Sequence, residues 1–236
     1  MSDVEAALRM YADATNYVAV AGLTPEIQRQ READFCQFDE CDLLREAAWV
    51  ILCSGFREAA VRRVFDYISL CFCDWESAHA IVNAFPACSL AALASFNSAT
   101  KIGAIFEVAR QIDKRGFGSV RTAISGDPIG ELTKFPFIGP ITVWHLAKNL
   151  GLDVVKPDRH LVRISAALGF CNPTALCEVI AQKCGDPVRV IDLVIWRYMA
   201  DNPKKFHELR PRGYRAASRA GHNPVVKTNS KSRRSE

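Results

Sequence analysis

Residues 130–170 read GELTKFPFIGPITVWHLAKNLGLDVVKPDRHLVRISAALGF, and their punctuation lays out three helices. Residues 131–134 can end a short helix, Phe135-Pro136-Phe137-Ile138-Gly139 makes a tight turn, and residues 140–150 form a second helix. Pro140 suits the first helical turn, where its missing N–H would be unpaired in any case, and Gly151 suits the residue just past the end. An extended piece, 152–156, follows. Pro157-Asp158 then opens a third helix through His160, Leu161, Ile164 and Leu168. Asp158 stands where an N-cap would, its carboxylate facing free backbone N–H groups. Taken alone, that spacing reads as an ordinary capping aspartate.

Outward from this stretch, helical periodicity dominates. The spacing predicts helices over 41–53, 58–72, 75–84, 89–96 and 100–114. Glycine or proline interrupts the pattern at Ser54-Gly55, Phe85-Pro86, Gly116-Phe117-Gly118 and Gly126-Asp127-Pro128. No strand-like alternation of useful length appears, so the fold class is all-α, without internal repeats.

At 236 residues, 49% of them hydrophobic, the chain can hold one large domain or two small ones sharing an interface. No run of about 18 apolar residues stands out, and Met1-Ser2-Asp3-Val4-Glu5 lacks the basic-then-apolar order of a secretory signal. The expectation is a soluble, cytoplasmic protein with no membrane partner. Nine cysteines fall mostly in apolar runs such as Leu70-Cys71-Phe72-Cys73, which reads as buried reduced thiols. Cys171, Cys177 and Cys184 form C-x5-C-x6-C with no fourth cysteine after them, so no metal and no cofactor are expected. The net charge of +4 is unevenly spread: residues 204–236 carry ten lysines and arginines against two glutamates, a net of +8. Residues 1–203 are expected to form the folded helical domain and 204–236 a largely disordered basic tail of the kind that touches polyanions.

The run Phe135-Pro136-x-Ile138-Gly139-x-x-Thr142, followed by Pro157-Asp158-x-x-Leu161-x-Arg163-Ile164, resembles the helix-hairpin-helix (HhH-GPD) DNA glycosylase superfamily, which includes endonuclease III, the adenine-mismatch glycosylase and 3-methyladenine glycosylase II. The likeness is sharpest in the hairpin, helix and aspartate at the family's spacing and extends more weakly over about residues 46–200. It implies a two-lobed helical bundle with the hairpin motif at about 131–150, Asp158 as the catalytic carboxylate, and double-stranded DNA as partner of a monomer. Two departures matter. The first hairpin glycine of the family is Phe137 here, so the loop is expected to differ in backbone angles or phosphate contact. The position of the nucleophilic lysine in bifunctional members is Ile141, which cannot form a Schiff base. The family's iron–sulfur cysteine pattern is also lacking, so no cluster is implied.

Cleaving an N-glycosidic bond builds positive charge on deoxyribose as the base leaves. A carboxylate beneath the sugar stabilises that cation and orients water. Backbone N–H groups near Ile138 and Gly139, with Phe137, Ile141 and Thr142, are the candidate phosphate contacts, joined by Lys156, Arg159, His160 and Arg163 around Asp158, whose plain reading is a solvated face. Ser54, Phe56 and Arg57, at the break after the helix ending near Cys53, are candidates for the wedge or pocket of an extruded base. Glu46 and Trp144 join them, although Glu46 reads first as an exposed helix-face acid and Trp144, like Trp196, as core. The leading reading is a monofunctional glycosylase in base excision repair, its base alkylated, mismatched, deaminated or oxidised. A defence enzyme removing modified phage cytosines, such as glucosylated hydroxymethylcytosine, and a non-catalytic DNA-binding module are the alternatives. An all-α interaction domain would explain the composition but not the hairpin-to-aspartate spacing.

Overall fold

The computed structural model describes residues 2–205, and every regular element among them is helical. The basic stretch 206–236 lies outside the described residues. In chain order the helices are α1 (Asp3–Val20), α2 (Thr24–Glu32), α3 (Glu40–Cys53), α4 (Glu58–Cys71), α5 (Ala78–Ser95), α6 (Ala99–Arg115), α7 (Phe117–Gly126), α8 (Pro128–Leu132), α9 (Thr142–Asn149), α10 (Arg159–Ala167), α11 (Pro173–Cys184) and α12 (Val188–Asp201). Local chemistry sets several starts. Ser2 and Glu5 form a reciprocal capping box on α1, and Asp39 and Asp42 do the same on α3.

The apolar faces of these helices build two cores. One gathers α3 to α9 around Leu43, Ile51, Phe72, Trp75, Ile102 and Leu146. The other joins α1 and α2 to α10, α11 and α12 around Met10, Leu161, Leu176, Ile191 and Ile195. Ends of the chain therefore meet, with α1 lying on α12. Arg197 of α12, 7% exposed, ties the two groups together by pairing with Glu26 of α2 and Glu58 of α4. The chain crosses from one core to the other at residues 152–158: Val154 packs on the first and Val155 is buried in the second.

Three expected boundaries move. Pro86 does not end a helix; it sits inside α5, and the two helices expected over 75–84 and 89–96 are one. Packing on both sides of the proline holds it: Phe85 stacks on Phe106 at 4.1 Å, and Ile81 and Ala92 are buried. Gly116, at φ 76°, is a sufficient hinge, so α7 begins at once with Phe117. Helix α9 begins at Thr142, not Pro140, which stays in the turn. The expected absence of a long apolar run is also corrected, because α5 is long and apolar enough, by length and composition alone, to cross a membrane. In the fold it packs on α4 and α6.

Candidate functional site

The segment that crosses between the cores is held from below by a buried ion pair. Asp192 of α12 is 1% exposed and Lys148 of α9 is 3% exposed, and Lys148 Nζ donates to Asp192 Oδ1 at 2.6 Å. The second carboxylate oxygen of Asp192 accepts the backbone N–H of Lys156 at 2.5 Å. Burial raises the Asp192 carboxyl above its ordinary value, and Lys148 offsets part of that rise. One buried carboxylate thus fixes α9, α12 and the crossing segment together. At the entry to that segment Gly151 takes φ 99°, and a Cβ there would meet the backbone of residues 33–35 at 2.6–2.7 Å, so a side chain has no room.

Two residues after Lys156, Asp158 caps α10 as its spacing suggests. Its Oδ1 accepts the N–H groups of both His160, at 2.8 Å, and Leu161, at 3.0 Å. Its own N–H donates to the Lys156 carbonyl at 2.7 Å. Among the described residues no hydrogen-bond donor meets the other carboxylate oxygen. The side chain is therefore anchored through one oxygen and offers the second, next to the positive end of a helix.

Lys156 and His145 face one another beside it, Lys156 Nζ lying 3.3 Å from His145 Nδ1. Burial, then the Lys156 and Lys148 ammonium groups, push the imidazole well below its ordinary value. Its ring is neutral at pH 7, and Nδ1 accepts a hydrogen bond from Lys156 Nζ. Burial and Lys148 lower the Lys156 amine in turn. Near Lys156 and Lys101, the Cys53 thiol is pushed up to about 12, mainly by burial, so it remains protonated. His160 is part-buried, with its imidazole lowered by burial first, while Arg159 and Arg163 are exposed.

The turn between α8 and α9 keeps a left-handed residue without a glycine. Phe137 has φ 62°, the conformation a glycine would take freely and a side chain takes at a cost of about 1–2 kcal/mol. Thr142 locks the turn: its Oγ1 accepts from the Gly139 N–H at 2.7 Å and lies 3.2 Å from the Phe137 carbonyl. The Ile138 N–H donates to the Phe135 carbonyl at 3.2 Å. Both amides expected to grip a phosphate are thus used inside the turn. Between Phe137 and Thr142 the amides without an acceptor among the described residues are those of Phe137 in the turn and of Ile141, 46% exposed, and Thr142 at the start of α9. Ile141 and Thr142, adjacent at the helix N-terminus, are the pair open to an anion.

Phe137 meets the other break in the fold through a residue that sequence reading missed. Lys101 of α6 is 5% exposed, and its ammonium donates to the Ile51 carbonyl in the last turn of α3. The same ammonium lies 4.9 Å from the Phe137 ring centre and 5.5 Å from that of Phe56. Ser54 ends α3, Arg57 precedes α4 and is exposed, and Phe56 between them stands 49% exposed against Phe96. A lone lysine in Thr100-Lys101-Ile102 carries no pattern that marks it.

No family model, curated protein or solved structure matches this chain. The site's chemistry therefore rests on its own residues. Glu46 is not an exposed helix-face acid: its side chain is 18% exposed, Arg45 pairs with it at 2.6 Å and Asn149 of α9 donates to it at 2.8 Å. Burial raises its carboxyl, and the bond from Asn149 ties α3 to α9. Trp144 packs against the first core and Trp196 against the second. Among the described residues no three acidic, histidine or cysteine side chains gather as a metal site. The nine cysteines are unbridged; Cys71 and Cys177 are buried, Cys36, Cys171 and Cys184 exposed, so the thiols are less buried than their apolar neighbours suggest. A surface depression between Arg45, Asp66 and Trp75 holds none of the candidate residues.

Proposed function

We propose that this chain is a monofunctional DNA glycosylase that draws a damaged or modified base out of duplex DNA and hydrolyses its N-glycosidic bond. The observation that carries the reading is Asp158, held by two backbone N–H groups through one oxygen with the other unpartnered, on the crossing segment between two helical cores. In this reading the cores are the two lobes of a helix-hairpin-helix glycosylase, and α8, the Phe137 turn and α9 are its hairpin. The free amides of Ile141 and Thr142 take a phosphate of the DNA backbone. The unpartnered oxygen of Asp158 faces the sugar, stabilises its positive charge as the bond to the base breaks, and orients the water that attacks the anomeric carbon. The base leaves with the bonding electrons and is protonated. No amine stands at position 141, so the product is an intact abasic site.

Base excision repair is the role this chemistry fits, with the protein acting alone on double-stranded DNA and without metal or cofactor. The test is incubation with duplexes bearing alkylated, deaminated, mismatched, oxidised and phage-derived modified bases, followed by hot alkali. Strand breaks that appear only after alkali support the reading and name the base. Salt-sensitive duplex binding with no break on any substrate would make the chain a binding module instead.

A further inference from the structure

At two positions the chain carries a costly residue where a cheap one would serve the fold. Lys101 buries an ammonium group that an apolar side chain of similar length would replace without a charge to compensate. Phe137 holds a left-handed backbone angle that glycine adopts freely. The two costs meet at one place. The Lys101 ammonium has three protons; one goes to the Ile51 carbonyl, at the α3 C-terminus where a cation is favoured. No other polar acceptor meets it among the described residues, and the rings of Phe137 and Phe56 lie within cation–π distance. One ring comes from the α8–α9 turn and the other from the α3–α4 break. Both stay nearly half exposed, Phe137 at 45% and Phe56 at 49%, so the cation holds two aromatic side chains that remain open to solvent.

The geometry points to Lys101 as a positioning residue that locks Phe56 and Phe137 into one stacking surface for an unpaired nucleobase in duplex DNA, the kind of base left without its partner when that partner is extruded. The inference rests on the proposed glycosylase reading and adds to it. A flat base stacks on an aromatic face whatever its sequence context, and the gain is largest where the base has lost a neighbour in its own stack. Free rotation of two exposed rings would waste part of that gain; a buried cation shared between them removes the freedom before DNA arrives.

The test compares the wild type with Lys101→Met, Lys101→Arg and Phe137→Gly on two duplexes at one salt concentration, one intact and one carrying a tetrahydrofuran abasic analogue opposite an adenine. The wild type prefers the duplex with the abasic analogue. Lys101→Met and Phe137→Gly reduce that preference by about tenfold, read as the ratio of the two affinities so that any loss common to both duplexes cancels, and Lys101→Arg retains it. Phe137→Gly melts at the same or a higher temperature because the left-handed angle is no longer strained, so its lost preference cannot be a folding defect. Should Lys101→Met fail to fold, Phe137→Gly decides alone. A preference unchanged in Phe137→Gly, or a wild type that excises a base yet binds both duplexes alike, overturns this inference and leaves the glycosylase reading intact. A wild type that neither binds DNA nor excises any base overturns both.

Discussion

Asp158 and Asp192 show how differently two carboxylates can sit in one fold. Asp158 was legible in the sequence because capping is local: its acceptors' partners are the N–H groups two and three residues on, and Pro157 fixes the approach. Asp192 was not, since its partner Lys148 is remote in sequence and each charge sits in an apolar stretch, Leu146-Ala147-Lys148 and Ile191-Asp192-Leu193, that reads as core. The same remoteness hid Lys101, whose acceptor is the backbone of α3. Asp192→Asn leaves the Lys148 ammonium buried against a neutral amide and should destabilise the fold by about 3–5 kcal/mol in urea unfolding. Removing both charges in Asp192→Asn, Lys148→Met should recover much of that loss. A single variant as stable as the wild type would mean that the pair does not hold the crossing segment.

Among the elements, the helical class and most helix existence follow from periodicity, while the errors fall on punctuation. Pro86 reads as a stop, because proline removes an N–H and crowds the carbonyl four residues back, yet α5 runs through it under the packing of Phe85 and its neighbours. Tertiary contacts override a local penalty of that kind, and no window of sequence displays them. The penalty should still be present. Pro86→Ala restores the missing donor opposite the Val82 carbonyl and should stabilise the protein by up to about 3 kcal/mol, read as a higher thermal midpoint. An unchanged or lower midpoint would show that the helix gains nothing from continuity there. Thr142, by contrast, displaced the expected start of α9 through side-chain bonds to the turn; a threonine three residues after Gly139 was visible, but which amide it would take was not.

For the molecule as a whole, the sequence announced a helical body and a basic end but not the partition of the body into two cores, which depends on α1 returning to lie on α12. The candidate carboxylate sits where the chain passes between them, three residues after the last side chain of the crossing is buried in the second core. Charge is also divided at this scale, since the net +8 lies in residues 204–236, most of them outside the described structure. Deleting the chain from Lys204 onward should weaken duplex binding and flatten the dependence of log affinity on log salt, because fewer counterions are released; an unchanged slope would mean the tail makes no phosphate contact. The central claim, that the assembled molecule breaks a glycosidic bond and does not merely hold DNA, is tested most directly by Asp158→Asn. Asparagine keeps the size and much of the capping, and even loss of the cap is worth only about 1 kcal/mol, so folding is preserved. Single-turnover excision and duplex affinity are measured for both proteins at one salt concentration. Excision falls by at least about a hundredfold with affinity unchanged or tighter, since an anion has been removed from beside the phosphates. Excision at the wild-type rate in the asparagine variant would contradict that claim.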